Sequence, residues 1–217
     1  MDGSNKDKRV IGLYGEMRFA MELHKRGWQV YRAYIDEKFD FVILKSYCEN
    51  CRAFKDAWTR EGTYTDKKGK EKTGKTVTPL CETCHQDSLK MLVRFIQVKT
   101  SEGISNKTTK SGEESRKYSF HAKIRYHLAD SRIFYAWIQV WDEDNVNYYI
   151  FKTDDVKHFD DLQLVSYQIT DNQKTTLTIN QKGELLTKGT KHDYSVFEKF
   201  HDNFECLEET IEGDSWK

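Results

Sequence analysis

The stretch Arg94-Phe95-Ile96-Gln97-Val98-Lys99 lies at the centre of the predicted fold. Its apolar, β-prone residues predict a short strand. Because side chains alternate along a strand, Gln97 and Lys99 share one face and Val98 points the other way. An amide oxygen and an ammonium group are therefore neighbours on this strand.

A second apolar strand is predicted upstream, over 39–44, and it carries Asp40 near its start. Aspartate is disfavoured in strands, so Asp40 either marks an exposed strand start or binds something. Asp36 competes for the same role, but it lies in the turn predicted over 35–38. That turn joins the strand to another predicted over 28–34, and the two are expected to form a hairpin.

An amphipathic helix is predicted over 13–26, where apolar residues recur at intervals of three and four. Gly27 follows as a natural stop. Glu16 lies beside the apolar stripe of this helix. Its carboxylate either faces the edge of the sheet or is an ordinary solvated acid on the helix surface.

The cysteines form two C-x-x-C pairs, with a hydrophilic, lysine- and glycine-rich spacer over 66–75 between them; the paired residues are Cys48, Cys51, Cys81 and Cys84. Without an export signal, this pattern predicts zinc rather than disulfides. Four thiolates fill a tetrahedral zinc shell, so the site is structural and His85 is predicted to be a neighbour, not a ligand. Residues 46–90 are thus an inserted zinc ribbon in a core domain of 1–45 and 91–217. Cys206 is predicted to be a core thiol.

Composition limits the class of protein. The 217 residues carry a formal net charge of zero, so a nucleic-acid partner must meet a local basic patch rather than a global positive field. No run of about eighteen apolar residues occurs, which predicts no membrane span. The polar start does not resemble a signal peptide. Together with the paired cysteines, this predicts a cytoplasmic protein, in a reducing cytosol or nucleoid.

The remaining elements are predicted from periodicity and turn signals. Residues 100–117 are polar and predict a long loop. A helix is predicted over 118–130 and a closing helix over 193–209. Strands are predicted over 133–141, 148–152, 162–169 and 175–179.

An acid on a helix, an acid on a strand and a Gln-x-Lys pair on the next strand resemble the PD-(D/E)XK nuclease superfamily. The resemblance covers about Leu13 to Ile150 when the ribbon is set aside. The layout is similar to that of Holliday-junction resolvases, Mrr-like restriction nucleases and small restriction-type enzymes of bacterial defence systems. It implies an α/β, restriction-endonuclease-like fold with a mixed central sheet flanked by helices.

The resemblance also implies roles for individual residues. Glu16 matches the helix acid, Asp40 the strand acid, and Gln97 with Lys99 the (D/E/Q)-x-K pair. Mg²⁺ or Mn²⁺ would be held by Glu16, Asp40, Gln97 and the Val98 carbonyl, and Lys99 would hold or deprotonate the attacking water. Gln97 replaces the commoner acid, which removes one negative charge from the ion. The alternative for Gln97 and Lys99 is an edge strand with a solvated polar face.

The implied activity is hydrolysis of DNA by a metal-dependent endonuclease of restriction, defence or repair type. Phosphate contacts are predicted for basic residues of the long loop and the helix after it: Lys107, Lys110, Arg116, Lys117, Lys123 and Arg125. A homodimer would cut both strands. One alternative is a non-catalytic zinc-ribbon adaptor for nucleic acid or protein. Another is a nuclease domain that cuts only with a protein partner in a larger complex.

Overall fold

The structure, a computed structural model, consists of one long helix, strands that form three sheets, and a C-terminal segment of 3-10 helices. It describes residues 4–33, 39–54, 59–77, 81, 83–86, 88–102, 104–106, 115–124, 131–140, 144–155, 165–170, 174–182 and 194–209. The helix and strands are α1 Ser4–Lys25, β1 Gln29–Arg32, β2 Phe41–Cys48, β3 Thr59–Thr65, β4 Glu71–Val77, β5 Leu89–Glu102, β6 Ile104–Asn106, β7 Ser115–Ile124, β8 Ile133–Val140, β9 Val146–Lys152, β10 Val165–Thr170 and β11 Lys174–Lys182. In the described part of the chain, no helix offers an apolar length sufficient to cross a lipid bilayer.

A mixed five-stranded sheet, in the order β1-β2-β5-β8-β9, holds the predicted site residues. Strands β5 and β8 are parallel, and the other neighbours are antiparallel. The register pairs Phe41 with Ile96, so the start of β2 lies beside the middle of β5. The fold is therefore α/β with a mixed central sheet, as the resemblance implied, but the described residues contain few helices rather than a sheet flanked by helices.

Helix α1 packs on one face of this sheet, against the even-numbered positions of β5. Phe19 and Leu23 are buried in the same core as Ile96 and Val98. At Gly15 the helix comes so close to β5 that an added Cβ would lie 2.0 Å from Thr100 Oγ1. Only glycine permits this approach, which places the following residue of the helix at the edge of the sheet.

The C-terminal segment wraps around the β9 edge of the sheet and packs on both faces. The 3-10 helix Tyr194–Phe200 places the Phe197 ring 6.0 Å from Trp137 on the face opposite α1. The 3-10 helix Phe204–Leu207 places the Phe204 ring 5.8 Å from Phe19 on the α1 face. Cys206 in this turn is buried, as predicted for a core thiol, and burial raises its pKa to about 12.

The single closing helix predicted over 193–209 is therefore wrong. Asp202 interrupts it with a φ of 51°, and its N–H donates to Tyr148 O at 2.7 Å instead of to the preceding turn. A left-handed residue cannot continue a right-handed helix. The aromatic residues at intervals of three and four pack on two faces of the central sheet instead of forming one apolar face of a helix.

The helix predicted over 118–130 is also wrong in its described part. Residues 115–124 form strand β7 of a second antiparallel sheet, in the order β10-β11-β7-β6. Apolar Tyr118, Phe120, Ala122 and Ile124 alternate with polar residues, which is the period of a strand. The loop predicted over 100–117 is also partly wrong, because strand β5 continues to Glu102 and strand β6 follows it. Strands β10 and β11 confirm the two predicted after residue 160, with shifted bounds.

Arg94 fastens the C-terminal segment to β5 from a fully buried position. Its Nε donates to Leu207 O at 3.1 Å, Nη2 to Glu209 O at 2.8 Å and Nη1 to Val93 O at 2.9 Å. We expect Arg94→Ala to lower the free energy of unfolding by about 3 kcal/mol or more, because buried carbonyl groups lose their donors and a cavity opens. Urea unfolding measures the loss. Arg94→Met, which keeps most of the volume but none of the hydrogen bonds, should lose less; equal losses would mean that the hydrogen bonds alone are responsible.

Candidate active site and candidate metal centre

Asp40 lies directly before β2 and continues the pairing of that strand with β5. Its N–H donates to Ile96 O at 2.7 Å, and its carboxylate Oδ2 accepts the Val98 N–H at 2.6 Å. The carboxylate thus accepts a β5 N–H group that a backbone carbonyl would accept in a longer strand, which explains an aspartate at this position. Because the N–H and C=O of a strand residue point to the same side, the Val98 carbonyl faces the Asp40 side too.

Glu16 follows Gly15 on α1 and its side chain is 22% exposed. Burial raises the pKa of this carboxyl group, and the negative charge of Asp40 raises it further. The positive charges of Arg32 and Lys99 act in the opposite direction. Arg32 Nη2 lies 2.9 Å from Glu16 Oε2. Four charged groups from α1, β1, the start of β2 and β5 are therefore within electrostatic range of one another, and we call them the charged rim.

Gln97 and Lys99 occupy odd-numbered positions of β5, on the face opposite α1, and both are half-buried. The two hydrogen bonds of Asp40, to the Ile96 carbonyl and from the Val98 N–H, lie on either side of Gln97 along β5. Glu16 approaches the rim from the α1 side and Lys99 from the other, with the Asp40 carboxylate between them beside Val98. The structure thus groups three of the predicted charged residues and places Gln97 next to them, while their catalytic and metal-binding roles stay predictions.

The other predicted site residues lie either outside the described residues or on a different element from the one predicted. Asp36, the competitor of Asp40, lies outside the described residues, as do Lys107, Lys110 and Arg125. Arg116, Lys117 and Lys123 lie on strand β7, not on a loop and a helix as predicted. Their proposed contact with DNA stays a prediction. Sequence reasoning missed Arg32, because nothing in the spacing of β1 indicates an ion pair with a helix sixteen residues upstream.

The four paired cysteines form a compact cluster at the opposite end of the β2–β5 hairpin. All four Sγ atoms lie within 4.8 Å of one another, and the Cys48–Cys84 and Cys51–Cys81 pairs are both 3.5 Å apart. These separations are far too long for a disulfide bond of about 2.05 Å. They are close to the value of about 3.8 Å between sulfurs that share a tetrahedral zinc ion at 2.3 Å. The cluster could therefore hold a metal ion such as zinc.

The two C-x-x-C segments have the same backbone geometry. In each, the N–H of the first cysteine donates to the carbonyl five residues on, and its carbonyl accepts from the N–H four residues on. The residue after the second cysteine is left-handed in both, Arg52 with a φ of 60° and His85 with a φ of 56°. His85 is exposed and is not among the four residues of the sulfur cluster. Two matching turns that aim four sulfurs at one point are typical of a metal centre.

Ser88 supports this cluster and was not identified from the sequence. Its Oγ lies 2.9 Å from Cys48 Sγ. Burial by itself would raise the pKa of Cys48, but hydrogen bonds from Ser88, the Cys51 backbone and neighbouring cysteines lower it to about 6. A hydrogen bond with the Ala53 backbone lowers the pKa of Cys51, but burial and hydrogen bonds with the other cysteines raise it to about 12. Without a metal ion the cluster therefore favours a thiolate at Cys48 and a thiol at Cys51.

The spacer between the two turns forms the β3–β4 hairpin. Its turn is closed by Asp66, whose Oδ1 accepts the N–H groups of Lys68 at 2.8 Å and Lys70 at 3.1 Å. Gly69 has a φ of 75°, which suits glycine.

Comparisons with protein-family models, with curated proteins and with solved structures find no match for this chain. The chemistry of the charged rim and of the cysteine cluster therefore follows from the chain's own residues and their geometry.

Proposed function

We propose that the chain is a metal-dependent DNA endonuclease of the PD-(D/E)XK type. The observation that carries this proposal is the meeting of Glu16, Asp40 and Lys99 at the start of β2, although they are 24 to 83 residues apart along the chain. A helix with a glutamate precedes an antiparallel β1-β2-β5 arrangement, and β8 lies parallel to β5. This order supports a restriction-endonuclease-like fold.

The donor set at the rim fits a hard divalent cation. Besides burial, repulsion from Asp40 raises the pKa of Glu16, and an ion between two carboxylates would relieve that repulsion. Carboxylate, amide and carbonyl oxygens are the ligands that Mg²⁺ and Mn²⁺ prefer. Glu16, Asp40, Gln97 and the Val98 carbonyl supply these oxygens.

Hydrolysis of a phosphodiester forms a bond from a water oxygen to phosphorus and breaks the bond to the 3′-oxygen. A bound Mg²⁺ or Mn²⁺ would supply positive charge to the phosphoryl oxygens and lower the pKa of a bound water. Lys99 would hold the attacking water and stabilise the negative charge that develops in the transition state. Asp40 is positioned for its part by the Val98 N–H, which fixes one carboxylate oxygen.

The cysteine cluster is proposed to hold one structural Zn²⁺. Cys48 ends β2, and it pairs with Leu89 at the start of β5, so the cluster closes the hairpin formed by these strands. Residues 46–90 are then an insertion at this end, and 1–45 with 91–217 form the nuclease-like core. Basic residues on β7 and in the neighbouring segments are proposed to contact DNA phosphates, and a homodimer would cut both strands.

The direct test is cleavage of plasmid, linear and branched DNA with Mg²⁺ or Mn²⁺ and with a chelator. Asp40→Asn is the informative variant, because the amide oxygen can still accept the Val98 N–H while the charge is lost. We expect it to reduce cleavage by about a hundredfold or more. Asp66→Asn is the matched control, since Asp66 also accepts backbone N–H groups but lies in the β3–β4 turn. Cleavage that is equal in both variants would refute the metal-binding role of Asp40.

The second candidate is a non-catalytic zinc-ribbon adaptor that binds nucleic acid or a protein. The well-formed cysteine cluster and the zero net charge favour it. Here zinc removal should abolish binding and Mg²⁺ should be irrelevant. A nuclease that acts only within a larger complex would instead be inactive alone and active once its protein partner is added.

A further inference from the structure

Arg32 contributes a positive charge to the charged rim that the proposed hydrolysis does not use. It is the last residue of β1, the edge strand of the central sheet, and pairs with Phe41 at the start of β2. The next residue, Ala33, donates its N–H to Asp40 O at 3.0 Å. Arg32 is thereby held next to Asp40 through the backbone, while its Nη2 lies 2.9 Å from Glu16 Oε2.

The ion pair with Arg32 conflicts with the use of Glu16 as a ligand. Without a cation, the rim contains two carboxylates, Glu16 and Asp40, and two positive groups, Arg32 and Lys99, so its charges balance. A divalent ion at Glu16 would lie within a few ångströms of the guanidinium group and repel it. The departure of Arg32 from the carboxylate would remove part of this repulsion as the ion arrives.

The Arg32 side chain can make this exchange without a change in the fold. It is 64% exposed, and exposed ion pairs stabilise proteins only weakly. The guanidinium fork also matches the oxygens of a phosphate group, which accompany the cation in a bound substrate. An arginine at the end of an edge strand has room to reach such a group.

We propose that Arg32 is a further functional residue of this centre: it holds Glu16 until the divalent ion takes that carboxylate, and it then contacts a phosphate of the DNA. This inference rests on the proposed endonuclease function. It assigns Arg32 two successive partners, a glutamate and a phosphodiester, at the same rim of the sheet.

The test compares Arg32→Gln with Lys25→Gln. Lys25 is also 64% exposed and pairs with an acid of α1, Glu22, at 2.6 Å, so it is a matched control away from the rim. Titration calorimetry with Mg²⁺ and Mn²⁺ measures ion binding, and Glu16→Gln identifies the heat that belongs to the rim. Anisotropy with a labelled duplex measures DNA binding over a range of salt, in a Lys99→Met background that prevents cleavage.

We expect Arg32→Gln to bind the ion roughly two- to fivefold more tightly, because the competing guanidinium is gone. DNA affinity should fall about three- to tenfold, and the slope of its salt dependence should decrease by about one. Lys25→Gln should change neither quantity.

Opposite changes in the two affinities are the signature of the exchange. If the wild-type chain binds an ion at the rim and Arg32→Gln behaves like Lys25→Gln, the inference fails while the proposed function stands. A change in only one of the two affinities, or weaker ion binding, also overturns it. If the wild-type chain shows no ion binding that depends on Glu16, the proposed function and the inference fail together.

Discussion

Replacing Lys99 with methionine is expected to reduce Mg²⁺-dependent DNA cleavage by about two to four orders of magnitude. Lys99 is half-buried on β5, and its charge reaches Glu16 across the rim. Methionine has a similar length and fills the same space, but it can neither hold a water molecule nor stabilise a developing negative charge. The loss should therefore appear in the rate of bond breakage and not in the melting temperature.

Single-turnover cleavage, with protein in excess over DNA, separates this effect from weaker binding. Lys90→Met is the matched control, because Lys90 lies on the same strand near the cysteine cluster and pairs with Glu49 at 3.6 Å. If both variants cleave like the wild-type chain, Lys99 is only a polar residue on a partly solvated strand face. The nuclease proposal would then lose the residue that holds the attacking water and stabilises the transition state.

Removal of the zinc ion proposed for the cysteine cluster is expected to cause the largest loss of stability. Structural zinc sites bind with apparent free energies of about 10 to 16 kcal/mol in isolated peptides, and this energy is available only to the folded chain. We expect one Zn²⁺ per chain by elemental analysis, and a marked fall in melting temperature after treatment with a strong chelator. Cys81→Ser should lower the zinc content in the same way.

Two comparisons make the zinc experiment decisive. Cys206→Ala removes a buried thiol that lies in the core with Phe204 and Leu207, so it should cost some stability and no zinc. A Cys81→Ser protein with unchanged zinc content would refute the metal centre. At low temperature the zinc-depleted chain should retain cleavage, because the charged rim lies at the other end of the hairpin. Loss of all DNA binding, with no effect of Mg²⁺, would instead favour the adaptor.

Short-range patterns predicted the parts of the fold that local chemistry decides. The strand at 94–99 and the strand that follows Asp40 are present because their apolar residues must be buried. The C-x-x-C spacing predicted the cluster, since two tight turns can present four sulfurs wherever their ends meet. The same patterns failed for 118–124 and 193–209. The apolar residues of these segments partly fit both the helical and the strand period, and the surface against which each segment packs selects the structure.

The sequence by itself selected the candidate residues: an acid on α1, an acid before β2, a Gln-x-Lys pair on β5 and four cysteines. Only the tertiary structure decided their relations. It placed Arg32 against Glu16, gave the Asp40 carboxylate to the Val98 N–H, and wrapped the last aromatic residues around the β9 edge. The physical reason is that these contacts join residues 16 to 185 positions apart, and their partners are selected by packing of the whole chain, which no local pattern encodes.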